Sequence, residues 1–177
     1  PKGVGALYVR KGTGLVPHLT GGGQEFGLRA GTQNVPYIVG FAEALRITVE
    51  EREQRIAHVE PLRDRIIGNV LESIPDSQLT GHLESRLPQH ASFVFKDVDG
   101  NLLLTLLDAA GFACSSGSAC KTGNPEPSDV MIAIGLSREW GLGSLRVTLG
   151  SRTTPDDVEN FITILPGLVE KARKLTG

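Results

Sequence analysis

The sequence predicts an α/β layering in which a small sheet is covered by helices, and three patterns predict it. The second half runs helix, strand, loop, helix, strand, helix. A strict two-residue alternation marks SLRVTL, Ser144 to Leu149, as a strand, and three- and four-residue apolar spacing marks long helices before and after the short elements.

Taken in order, Gly5 to Arg10 (GALYVR) has the alternation and the aromatic and β-branched content of a short strand. Gly12, Gly14, Gly21, Gly22, Gly23, Gly27 and Gly31 crowd the next segment, which ends in GLRAGTQN. Such a loop either brings backbone close to a ligand or another chain or simply connects. Ile38, Phe41, Ala42, Leu45 and Val49 then open a helical pattern, with Asn34 as N-cap and Pro36 in the first turn. Ile56, Val59, Leu62, Ile66, Ile67, Val70 and Leu71 continue it, and Pro61 is expected to kink or divide the two stretches. Their mixed charges read as a solvated face.

Short elements follow Pro75. Gln78–Thr80 and Ala91–Phe95 are expected strands. Asn101–Ala110 is a helix with a buried face, capped by Asp99 and ended by Gly111. Phe112–Cys114 is expected to be a strand, and Ser128 to start a short helix over Val130–Ile134. The last helix spans Thr154–Leu175, with Pro155 at its first position and Thr154 and Asp157 spaced as a capping box.

A chain of 177 residues holds one ordinary domain, or a domain with part of another, and 40% hydrophobic content suffices for a core. Mean hydropathy near zero and the lack of a long apolar run argue against a membrane span. Net charge is −2 with interspersed signs, so no basic stripe invites nucleic acid. Two cysteines six positions apart make no disulfide framework, which favours a reducing, cytosolic setting. Pro1-Lys2-Gly3 leads straight into a strand-like segment, without signal peptide or initiator Met. The expectation is a piece of a longer protein.

Chemistry concentrates in Phe112–Ser128, FACSSGSACKTGNPEPS. Cys120 sits there among Ser, Gly and Ala, where small residues leave a thiol unobstructed and Lys121 favours the thiolate. Three readings stand: a nucleophile, a redox or metal thiol, or an incidental surface cysteine. Metal binding is the weaker, since Cys114 and Cys120 lack a completing His or second cysteine pair. His18, His58, His82 and His90 have no context of a catalytic base and read as surface or satisfied histidines. Arg146 lies on the polar side of the SLRVTL alternation. It is either a solvent-facing arginine or a planar clamp for a carboxylate on a rigid strand.

Four segments occur in order: PKGVGALYVRKG, GGGQEFGLRAGTQN, SSGSACKTGNPEPSDV and SLRVTLGSRTTPDDVENF. From Pro1 to about Arg173 the chain closely resembles the C-terminal part of the cysteine desulfurases, the NifS/IscS-like members of the class V aminotransferase superfamily. SSGSAC followed by EPS is the most specific of these matches. The resemblance implies a PLP-dependent transferase fold of the aspartate aminotransferase type. Residues 1–50 would end the large cofactor-binding domain and begin a connecting helix, and residues 51–177 would form the small domain carrying the cysteine loop.

It further implies that the parent uses pyridoxal 5′-phosphate (PLP) to desulfurate L-cysteine to L-alanine, leaving a persulfide on Cys120. That sulfur passes to an acceptor or scaffold protein for iron–sulfur cluster assembly or thiolation, and Cys120 could transiently ligate a cluster. The loop must approach bound substrate and then swing outward, which a rigid helix could not do. By motif, Arg146 matches the substrate-carboxylate arginine. Thr32 matches a threonine that reaches the PLP phosphate of the neighbouring subunit in a homodimer. The Schiff-base lysine is expected upstream of Pro1, so the fragment alone is expected to bind PLP poorly. Two other readings remain at this stage: a non-catalytic persulfide-accepting module, and a selenocysteine lyase or cysteine-sulfinate desulfinase relative.

Overall fold

The computed structural model describes residues 1–116 and 126–176, which form two compact units, Pro1–Glu53 and Gln54–Gly177. The first unit holds a 3₁₀ turn at Glu25–Gly27 and helix α1, Val35–Glu50. α1 begins as its sequence requires: the Asn34 side chain accepts a hydrogen bond from the Tyr37 N–H at 3.4 Å, and Pro36 occupies the first turn, where its missing N–H costs nothing. The expected strand at Gly5–Arg10 does not form. Its alternation is present, but no described strand lies alongside to take its N–H and C=O groups, and Leu7 and Tyr8 are exposed.

Helix α2, Arg52–Ser73, continues through Pro61 without dividing there, and the break with α1 falls at Glu51 (φ −91°, ψ 0°). The expected division at Pro61 is therefore displaced by ten residues. Pro61 and Ala57 both lie on the exposed side of α2, so the Ala57 carbonyl that loses its usual donor turns to water instead. Not all of the charge is solvated: Arg63 is buried, satisfied by Asp64, Glu60 and the Leu87 carbonyl.

The second unit is built on a three-stranded antiparallel sheet, β1 (Ser77–Leu79), β2 (His90–Phe95) and β3 (Ser144–Thr148), in that order. Its register pairs Gln78 with Val94 and Ser92 with Arg146. Alternation along β3 sends Leu145 and Val147 into the core, with Leu149 just beyond it, and places Arg146 and Thr148 on the opposite face. Phe93 and Phe95 from β2 join that core, their rings 6.2 Å apart. Helices cover it: α2 contributes Val59, Ile66, Ile67 and Val70, and α3 (Gly100–Ala109) contributes Leu103 and Leu107. α6 (Pro155–Thr176) adds Val158, Phe161, Ile162, Leu165, Val169 and Ala172, the three- and four-residue spacing of one helical face.

Local signals set the ends of these helices. Asp99 caps α3, accepting from the Asn101 N–H at 2.8 Å, and Gly111, at φ +88°, reverses the chain. The Phe112 N–H then bonds the Leu107 carbonyl and the Gly111 N–H bonds that of Asp108, the double closure that a left-handed glycine permits. This closure accounts for the missing strand at Phe112–Cys114. Phe112 is occupied in ending α3 and packs edge-on against Phe161 at 5.4 Å, so among the described residues the segment pairs through one bridge, Ser115 to Arg146. The capping box of α6 forms: Thr154 Oγ1 accepts from the Asp157 N–H and Asp157 Oδ2 from the Thr154 N–H. Two short helices complete the unit, α4 (Asp129–Ala133), capped by Ser128, and α5 (Arg138–Gly141), which packs against β2. Four residues are too few for periodicity to reveal, and α5 was not expected.

One backbone contact fastens the segment after α5 to the sheet. Phe95 donates its N–H to the Gly143 carbonyl at 3.0 Å, and a Cβ on Gly143 would fall on the Phe95 carbonyl. Backbone cannot yield as a flexible side chain can. Gly143→Ala is expected to lower stability by about 3 kcal/mol, read as a shifted urea midpoint. Gly150→Ala, where a Cβ meets nothing within 4 Å, should leave the midpoint nearly unchanged.

Candidate functional site

The polar face of the sheet gathers the chemistry. Arg146 sits at the middle of β3, half-buried, with its neighbours Leu145 and Val147 anchored on the other face. Its backbone N–H and C=O both pair with Ser115, at 2.6 and 3.2 Å. Toward β2 it therefore faces Ser92 across a pair without hydrogen bonds, the kind that brings side chains closer. The guanidinium donates through Nη2 to Ser115 Oγ at 3.1 Å. Beyond it, the buried Ser92 hydroxyl accepts from Thr80 Oγ1 at 2.7 Å. A polar strip, Thr80–Ser92–Arg146–Ser115, thus crosses the sheet, and no carboxylate among the described residues forms an ion pair with Arg146.

His90, at the start of β2, joins this strip. Burial, then the Arg146 and Arg86 guanidinium groups, push its imidazole below the ordinary value, which disfavours a further charge beside Arg146. From sequence it was a satisfied histidine without context. Only the register of β2 on β3, which sets His90 opposite Thr148, could reveal its place. Arg86 itself serves structure, its guanidinium holding the carbonyls of Thr80, His82 and Leu83.

Cys120 lies outside the described residues. Cys114 does not, and its environment is that of a structural thiol: it packs against the core beside Phe112, and burial raises its pKa to about 11. The stretches flanking the undescribed segment meet at one cavity of about 240 Å³, whose lining includes Ser116, Glu126, Ser128, Arg138 and Asp99. Arg138 pairs with Glu126 there at 2.8 Å.

Thr32 belongs to the other unit. It is exposed on the glycine-rich loop, just after Gly31 at φ +106°, a conformation that glycine adopts without strain. The loop is held by its own side chains. Arg29 Nη1 donates to the Gly31 carbonyl at 3.0 Å, and Gln24 Oε1 accepts from the Gly31 N–H at 3.2 Å. An exposed hydroxyl on a loop braced in this way can donate a hydrogen bond to an anion.

Comparison with known proteins shows the family. The family model described as Aminotransferase class-V matches residues 1–161. Cysteine desulfurase IscS 1 of Archaeoglobus fulgidus is 46% identical over 176 residues, which is 99% of this chain and 46% of that protein. The IscS-like cysteine desulfurase of Mycobacterium tuberculosis is 43% identical over 175 residues, 98% of this chain and 44% of its own length. Among solved structures, a NifS-like protein superposes with a TM-score of 0.78 at 33% identity, over 93% of this chain and 41% of that one. The chain spans about half the length of the curated relatives it matches. These likenesses bear out the PLP-transferase fold expected from the motifs, with its small helix-covered sheet.

The raised pKa of Cys114 should show in its reactivity. With its pKa near 11, Cys114 holds about a hundredfold less thiolate at pH 8 than an ordinary thiol. Iodoacetamide at that pH should leave Cys114 unlabelled in the folded chain and label it on unfolding, read by peptide mass spectrometry. Rapid labelling of Cys114 in the folded chain would contradict its burial.

Proposed function

The chain belongs to the class-V aminotransferase family, and from that premise we propose that it forms the C-terminal part of a PLP-dependent cysteine desulfurase. The reading is supported by one observation above all: the Ser115–Arg146 bridge ties the head of the SSGSAC segment to the arginine read here as the carboxylate clamp. In this reading Arg146 takes the carboxylate of L-cysteine and fixes the substrate's orientation from a rigid strand. The Cys120 thiolate then attacks the substrate sulfur. An S–S bond forms as the substrate C–S bond breaks, the bonding pair stays with the substrate carbon, and that carbon takes a proton to become the methyl group of alanine. One sulfur has moved, and Cys120 carries it as a persulfide to an acceptor protein in iron–sulfur cluster assembly or thiolation.

PLP, when bound, supplies the electron sink for the charge developed on the substrate. The residues present fit its phosphate end: the exposed Thr32 hydroxyl on its braced loop is the group that would hold it, in the neighbouring subunit of a homodimer. In this reading the lysine that anchors the cofactor is supplied by the rest of the parent protein; the chain spans 46% of the length of the IscS 1 relative. Tyr8 and Val16 are each 88% exposed and Phe26 fully so, which supports a covering surface for residues 1–53 in the assembled enzyme. A thiol that must return to its reduced form each cycle suits a cytoplasmic setting.

In the full-length enzyme, Cys120→Ser should abolish sulfide release while the absorbance of bound PLP persists. Mass spectrometry during turnover should find Cys120 heavier by about 32 Da, one sulfur atom. Arg146→Ala should raise KM for L-cysteine by about 10- to 100-fold, the loss expected of charge-assisted hydrogen bonds, with cofactor content retained. Sulfide release by the Cys120→Ser enzyme would refute the nucleophile assignment.

A further inference from the structure

We infer that Ser115 is a positioning residue for the carboxylate clamp: its hydroxyl sets the plane in which Arg146 presents its guanidinium to substrate. The inference rests on the reading of Arg146 given above. An arginine side chain carries about 2 kcal/mol of rotamer entropy, and a two-point clamp works only when the planar fork is already aligned. Strand β3 fixes the Arg146 backbone, but the long side chain needs its own restraint.

Ser115 supplies it. Among the described residues, Ser115 is the side chain that hydrogen bonds the guanidinium, at 3.1 Å to Nη2. The other candidate, Ser92, faces Arg146 from β2, but its hydroxyl accepts from Thr80. Ser115 Oγ is itself oriented, because its proton goes to the Ser116 carbonyl at 3.2 Å and leaves a lone pair toward Nη2. One of the guanidinium's five N–H donors is spent here, and a carboxylate needs two. Position and function are separable at this residue. The bridge to Arg146 uses backbone N–H and C=O groups alone, at 2.6 and 3.2 Å, so removing the hydroxyl leaves the local fold in place.

The test uses the full-length PLP-loaded enzyme, with steady-state kinetics on L-cysteine and PLP absorbance for each variant. Ser115→Ala should raise KM about fivefold while kcat and PLP content stay within about twofold of the parent. Ser115→Thr, which keeps the hydroxyl, should restore KM. In the Arg146→Ala background, Ser115→Ala should add nothing further, because the group it positions is gone. An unchanged KM in Ser115→Ala, beside a raised KM in Arg146→Ala, overturns the inference and leaves the clamp standing. Effects that simply add also overturn it, as does failure of Ser115→Thr to restore KM. An unchanged KM in Arg146→Ala overturns the clamp reading and the inference together.

Discussion

Arg146 is held by backbone hydrogen bonds on one side and by strand register on the other, and the candidate site depends on that placement. On one side its N–H and C=O pair with Ser115, and on the other it sits in register with Ser92 on β2. The pleat then does the sorting. Leu145 and Val147 are pulled into the core, so the residue between them has one face left to occupy. Slipping β3 by one position would bury the guanidinium and expose two apolar side chains, which makes the register expensive to change. Hydrophobic burial on one face thereby fixes a charge on the other.

The same sheet explains how a short, glycine-rich chemical segment can begin from a defined point. Gly111 ends α3, Phe112 packs on Phe161, and Ser115 bridges to Arg146. These three fastenings lead the chain up to Ser116. Cys114 contributes its sulfur to packing, in keeping with the burial that holds it as a thiol. Cys114 is therefore set apart from the covalent chemistry proposed for Cys120.

Electrostatics around the strip follow from burial and from neighbouring charge. Arg63 is satisfied by Asp64, Glu60 and a carbonyl, and Arg86 by carbonyls, so each of these cations holds structure in place. Burial first, and then Arg146 and Arg86, push the His90 imidazole below its ordinary value.

Much was legible in the chain before folding. The caps at Asn34, Asp99 and Thr154–Asp157 formed as their side chains require, because capping is local chemistry between residues a few positions apart. The alternation of Ser144–Leu149 put Arg146 on the polar face, and the SSGSAC and GLRAGT motifs led to the family that the comparisons bear out. Other features depended on distant partners. GALYVR has strand composition but finds no strand beside it, and Pro61 stays inside α2 because its side of the helix is exposed. The necessity of Gly143 appears only where Phe95 approaches it, and the roles of Ser115, Ser92 and His90 only once β2 and β3 are in register. Local geometry is written in neighbouring residues. Which side chains meet across a sheet is decided by burial summed over the whole fold, and no short stretch of sequence contains that sum.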